Sequence, residues 1–255
     1  MTELERVVAF LRELDRRAAG RQVPFRFGTA YLYDELPRVW SRNYLSAEKN
    51  LDEASAELLA AEADRLLGEA GIAHRKIEVY DGEVGARLAS GFSELGWRAE
   101  SDVVMVARKA ADDEPLAEEV SWEDLVPVWA EAGRSDRDIE DEDVLRQLAQ
   151  GKRVVMSAID TRFFAGRADG RLVSYCELYS DGSTGQIENV MTLERYRNRG
   201  LARATVSRAL AESQAAGNGL TFLLASREDW PQELYRKLGF DEIGLTYDFI
   251  LPPPE

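Results

Sequence analysis

Cysteine and histidine are nearly missing from this chain: Cys176 and His74 are the single residues of their types among 255. A lone cysteine excludes an internal disulfide, and a lone histidine excludes a histidine-rich metal site and gives no serine–histidine triad near the C-terminal motifs. Both residues are read as packed in strands. Long apolar runs are absent too. No window approaches the roughly 18–20 consecutive apolar residues of a spanning helix. The first twenty residues, MTELERVVAFLRELDRRAAG, alternate apolar and charged positions at helical spacing and hold no signal-peptide core. The expectation is a soluble, cytoplasmic protein with no membrane partner and no metal.

Positive charge is also scarce. With 32 bases against 47 acids the formal net charge is −15, which argues against a nucleic-acid partner, since that binding relies on basic patches that release counterions. The imbalance is local. Residues 112–143 hold 14 acids against Arg134 and Arg137, whereas RYRNRGLARATVSRAL (195–210) holds five arginines and no acid. Such a basic island in an acidic chain asks for an anionic ligand.

What is present points to two α/β (α+β) domains with mixed β-sheets flanked by helices. The length suits two cores, and 45% hydrophobic residues can fill them. KAADDEPLAEE (109–119) is polar, aperiodic and contains proline, so it reads as a linker between domains 1–108 and 120–255. The ends of the halves resemble one another. GFSELGWRAESDVVMV (91–106) and LYRKLGFDEIGLTYDFI (234–250) share a helical turn, a Leu-Gly-aromatic step and an alternating strand, offset by 143 residues. In the second half, residues 161–192 read as a three-stranded meander with turns at 168–170 and 181–183. A helix at about 200–216, a buried strand LTFLLAS, a short helix at 232–238 and a strand at 239–251 follow. In the first half, PFRFGTAYLY reads as a strand, then a helix at 52–69, the strand HRKIEVY, the helix EVGARLASGFSEL and the strand WRAESDVVMVA.

The chemistry sits where a strand ends at Thr192 and a helix opens at Gly200. Free first-turn N–H groups, the positive dipole end, and Arg197 and Arg199 make an anion cradle there. Taken with VMTLERYRNRGLARATVSRAL and LYRKLGF, the chain resembles the GNAT superfamily of N-acetyltransferases. Arg197-Asn198-Arg199-Gly200-Leu201-Ala202 matches the family's pyrophosphate loop, and Leu234 to Phe240 matches its C-terminal element, in order and at the proper distance. The resemblance implies acetyl-CoA as co-substrate, its diphosphate on the amides of 197–202 and its pantetheine arm against the main chain of Met191 and Thr192. It implies transfer of an acetyl group to a primary amine by direct attack in a ternary complex, with Tyr235 as general acid and Glu188 as base. Ala202 stands where many members have glycine. Asn189 is expected to face away from Glu188 by strand alternation.

By the same comparison the first half lacks the machinery. Phe92 falls opposite Tyr235, and NYLSAEKNLDEAS puts acids where the other half has arginines, which would repel a diphosphate. A degenerate GNAT-like N-terminal domain that walls the acceptor cleft is the expectation. The acidic stretch WAEAGRSDRDIEDEDVLRQ (129–147) is expected to line the acceptor side and favour a small cationic amine. A homodimer is compatible with the sequence. The rival reading is a non-catalytic CoA-binding sensor or interaction module.

Overall fold

The computed structural model describes residues 1–110, 116–136, 139–228 and 231–253. The chain opens with α1 (Glu3–Ala18), started by a capping box in which Thr2 and Glu5 bond each other's backbone N–H. Residues 24–33 are the end of one strand and the whole of a second: β1 (Arg21–Phe25) and β2 (Gly28–Leu32) form a hairpin turning at Arg26 and Phe27. Gly28 permits β3 (Tyr44–Ala47) to pack closely, because a Cβ there would lie 1.9 Å from the Ser46 carbonyl oxygen. Then come α2 (Ala56–Glu69), β4 (Arg75–Val79), α3 (Gly82–Glu94) and β5 (Arg98–Ala107). The second half runs β6 (Glu118–Val120), α4 (Trp122–Asp136), α5 (Glu142–Ala158), β7 (Asp160–Ala168), β8 (Arg171–Ser180), β9 (Thr184–Thr192), α6 (Leu201–Ala215), β10 (Leu220–Ser226), α7 (Pro231–Lys237) and β11 (Phe240–Leu251). The meander turns where left-handed Asp169-Gly170 and Gly182 stand. Of the stretch read as a linker, residues 111–115 lie outside the described residues, and Glu118 and Glu119 already belong to β6.

The eleven strands of the described residues form one sheet, in the order β1-β2-β3-β4-β11-β5-β10-β9-β8-β7-β6. The two similar strands, β5 and β11, lie side by side and antiparallel at its centre. Their register carries the repeat. A shift of 143 residues converts the pair Val103 and Leu245 into Thr246 and Asp102, and both pairs are observed. A pseudo-twofold axis therefore passes between β5 and β11. Each half gives its last strand to the other: β5 pairs with β10, and β11 pairs with β4. Helices α2, α3, α6 and α7 pack on one face of this sheet, where Ile77, Val103, Met105 and Phe249 point. Helices α1 and α5 cover the other, against Val104, Val106 and Phe222. No helix among the described residues is long and apolar enough to cross a membrane.

The exchange makes a testable statement about the halves. Residues 120–255 expressed alone would lack β5, leaving facing edges of β10 and β11 unpaired around an apolar row. We expect that fragment to be insoluble or to melt without a cooperative transition, while the full chain melts cooperatively by circular dichroism. The two rare residues are structural. Cys176 is wholly buried on β8, its thiol donating to the Thr205 carbonyl at 3.3 Å, and burial raises its pKa. His74 is buried just before β4 rather than within a strand, stacked on Trp40, its Nε2 2.9 Å from the Asn43 carbonyl oxygen. Burial lowers its pKa to about 4.

Candidate active site

Strands β9 and β10 run parallel from Thr184 and Leu220 as far as Ile187 and Leu223, then part. The cause is local. Asn189 adopts φ 52°, and the β8–β9 register slips between Tyr175 and Glu177, so one extra residue bulges out of β9. Beyond the bulge a cavity of about 480 Å³ opens, lined by Val190, Met191 and Thr192, by Arg197, Asn198 and Gly200 to Arg203, and by Pro231, Leu234 and Tyr235. Seven of the eight residues assigned to cofactor binding from the sequence line it.

Gly200 has φ 78° and Asn198 φ 62°, so the chain doubles back immediately before α6. No side chain caps this helix, and its first-turn N–H groups have no intrahelical acceptor. A left-handed glycine with open space where its Cβ would stand lets a ligand reach those amides. Arg197 Nε bonds the Thr192 carbonyl at 3.2 Å. Arg199, the one assigned residue outside the cavity lining, has its guanidinium 5.1 Å from the centre of the Tyr196 ring, opposite in role to Arg195, which is committed to Glu131. Met191 and Thr192 are held by Ser174, whose hydroxyl lies 2.9 Å from the Met191 carbonyl and 2.8 Å from Thr192 Oγ1. Tyr235 is buried on α7 against Phe240. The Gln232 amide fixes that helix by donating to the Ser226 and Arg227 carbonyls at the end of β10, each at 2.8 Å.

A second cavity, about 400 Å³, lies on the other side of the bulge and is walled by both halves of the chain. Consecutive residues Asn189 and Val190 line one cavity each. Glu188 faces this second space and accepts from Gln186 Nε2 at 2.7 Å. Burial pushes its carboxyl up to about 7, with Glu177 and Asp102 adding to the rise and Lys152 opposing it. Glu177, wholly buried, accepts from Lys152, Tyr179 and Asn189, so Lys152 is already neutralised. The expectation that Asn189 faces away from Glu188 fails because the bulge breaks the alternation and turns both toward the same cavity. The acids of 129–147 do not supply its charge either. Glu131 pairs with Arg171 and Arg195, Asp141 with Arg38, Glu142 with Arg134 and Asp143 with Arg146, all at the surface, while 137 and 138 lie outside the described residues, as does Trp230. Among the described residues of that stretch, only Trp129 reaches the cavity. Its carboxylates come instead from Asp15, Glu78, Asp102, Glu188 and Asp248, four of them unremarked in the sequence because they stand on α1, β4, β5 and β11, far apart in the chain.

The equivalent place in the first half is closed. β3 pairs with β4 through Ala47 and Val79, with no parting. The N–H groups of Glu48 and Lys49 are used by the Phe27 carbonyl, Ser55 caps α2, and Arg87 donates to the Leu51 and Ala54 carbonyls. Phe92 is wholly buried, stacked on Phe249 at 4.1 Å.

The Acetyltransferase (GNAT) domain family matches residues 160–242, from the start of β7 into β11. The chain carries a GNAT domain. The first cavity and the uncapped start of α6 lie within it, and the second cavity takes Tyr179, Gln186, Glu188, Asn189 and Leu224 from it. Among solved structures, a conserved protein of unknown function from Staphylococcus epidermidis is 14% identical with a TM-score of 0.69, covering 92% of this chain and 95% of that one. A GCN5-related N-acetyltransferase from Kribbella flavida is 18% identical with a TM-score of 0.63, covering 98% and 96%. A tandem GNAT protein from the clavulanic acid biosynthesis pathway is 12% identical with a TM-score of 0.51, covering 78% and 70%. At these identities the likeness is one of fold, and it extends over both halves. No functionally curated protein matches the sequence.

Proposed function

We propose that this chain is an N-acetyltransferase that moves an acetyl group from acetyl-CoA to the primary amine of a small cationic molecule, both bound at once. The observation that carries the reading is that two cavities meet at the β9 bulge: one beside an uncapped, arginine-flanked helix start, the other lined by carboxylates. The residues present fit acetyl-CoA. The first-turn amides of α6 with Arg197 and Arg199 would hold its diphosphate, and the main chain of Met191 and Thr192 its pantetheine arm. When bound, it supplies a thioester carbonyl open to attack by an amine.

The chain's own groups manage the protons. An amine attacks only when neutral, and Glu188, poised near neutral pH by burial, takes the proton from its nitrogen directly or through a water. Tyr235, on the cofactor side of the bulge, gives its phenolic proton to the departing sulfur. The second half, 120–255, carries this machinery. The first half, 1–108, is its degenerate partner and walls the acceptor cavity with Asp15, Arg42, Lys76 and Glu78.

Calorimetric titration with acetyl-CoA tests the cofactor part. We expect one site per chain, weakened at least tenfold by Arg199→Glu through loss of a charge-assisted contact worth about 1.4 kcal/mol or more. Two sites per chain would overturn the degenerate first half, and no binding would remove the enzyme reading altogether.

A further inference from the structure

Among the described residues the acceptor cavity is lined by five carboxylates against three cationic side chains, and this imbalance defines what fits it. Gln186 is 4% exposed, and its Oε1 has no hydrogen-bond partner although the residue lines the cavity. Half-buried Asp102 also lines it, and its carboxylate makes no hydrogen bond or ion pair among the described residues. Burial raises its pKa, Glu100 and Glu78 adding to the rise and Lys76 opposing it. Two of the three cations lining it are occupied, Lys152 by Glu177 and Lys76 by Glu78 at 2.7 Å and Asp248 at 2.9 Å, and the third, Arg42, acts through its charge on Asp15 and Tyr179. A buried acceptor left unpaired costs about 1–3 kcal/mol, more when charged, so the groups of this cavity call for a ligand rich in N–H donors.

Their placement across the sheet adds a length. Glu188 stands on β9 and Asp102 on β5, with β10 between them. Asp102 pairs with Ser226, and Glu188 follows Ile187, which pairs with Leu223, so two strand spacings and an offset of two residues separate them, roughly 12 Å. Leu224 of β10 lines the cavity in between, and Leu11, Leu14 and Val155 line it from α1 and α5. On the far side Thr246 of β11 is paired in register with Asp102, and Asp248 with Glu78 of β4. The cavity thus has a polar end at Glu188 and Gln186, an apolar middle, and a polar end at Asp102.

We propose that the acceptor is a linear diammonium compound, its reacting amine held at Glu188 and Gln186 and its second ammonium at Asp102, beside the Glu78 and Asp248 pair. This rests on the acetyltransferase reading above and narrows it. The first half thereby does more than wall the cavity: through the exchanged strand β5 it supplies the specificity group for a reaction whose proton-transfer residues belong to the second half. Asp102 is a binding residue for the distal ammonium and takes no part in the proton transfers.

The test uses the full chain with saturating acetyl-CoA and compares diaminobutane, diaminohexane and diaminooctane with butylamine, hexylamine and octylamine. The expected result is a preference for the diamines in kcat/KM, greatest where the two nitrogens stand about 12 Å apart. Asp102→Asn should raise KM for the preferred diamine about tenfold or more and KM for the monoamines far less, both read above about pH 8, where Glu188 is ionised in either protein. Asp102→Glu should keep the preference and shift the best length, a result that a merely structural aspartate would not give. Equal losses for monoamine and diamine in Asp102→Asn, or no diamine preference in the unaltered protein, would overturn the proposal. If acetyl-CoA binds but no amine is acetylated, the acetyltransferase reading fails by itself. Calorimetric titration of diaminooctane then decides the cation site: binding weakened by Asp102→Asn supports it, and binding that is absent or indifferent to the substitution overturns it.

Discussion

Glu188→Gln should lower kcat/KM for acetyl transfer by about 10²- to 10⁴-fold, the usual contribution of a positioned general base, and should remove a pH dependence centred near neutrality. The sign follows from the carboxyl's raised pKa. Burial lifts it to about 7, so below that pH the group carries a proton and cannot take another; above it the carboxylate is free to act. The rate should therefore climb as pH rises from 5, roughly tenfold per unit, and level off above about 7. The groups facing Glu188 set that value together: Lys152 from α5 lowers it, Glu177 from β8 and Asp102 from β5 raise it, and Gln186 and Asn189 flank it on its own strand. In the glutamine variant only the ionisation of the amine substrate would remain in the profile. A pH–rate series on both proteins checks this, and a variant with unchanged rate and unchanged profile would exclude Glu188 as the base.

How far this site could be read from the sequence depended on the range of the interactions that make it. The turn into α6 was legible because its signal is contiguous: a strand end, arginines, Gly200 and a helix. The structure places Arg197, Asn198, Gly200, Leu201 and Ala202 together around one cavity. The meander, α6, β10, α7 and β11 were legible for the same reason, each having its own period and turn residues. The repeat between 91–106 and 234–250 was also visible, yet its consequence was not. Nothing in an alternating strand says which neighbour it will take, so the exchange of β5 and β11 across the pseudo-twofold axis is a tertiary result. The bulge at Asn189 escaped because alternation was assumed to continue through it. The acceptor charge was expected in the wrong place. Runs of acids in 129–147 are solvated and paired with arginines. The carboxylates that matter are isolated residues, Asp15, Glu78, Asp102 and Asp248, brought to one cavity from four separate elements. A charged residue interrupting an apolar strand, as Asp102 does before VVMV, is the signal that could have found one of them.

Tyr235→Phe is the substitution that separates an enzyme from a CoA-binding sensor of the same shape. The aromatic ring fills a buried position between α7 and Phe240, and phenylalanine keeps that volume, so the thermal midpoint should hold. The amides and arginines of the 197–202 loop lie outside the change, so acetyl-CoA affinity by calorimetry should stay within about twofold. What disappears is the proton offered to the leaving sulfur, and kcat should fall by about a hundredfold or more. A loss in kcat with affinity and stability intact is the signature of a group that acts only as the bond breaks. Full turnover in the variant would strip Tyr235 of its acid role and leave water to protonate the sulfur. Intact binding with no turnover in either protein would favour the sensor, because the hydroxyl would then have no reaction to serve.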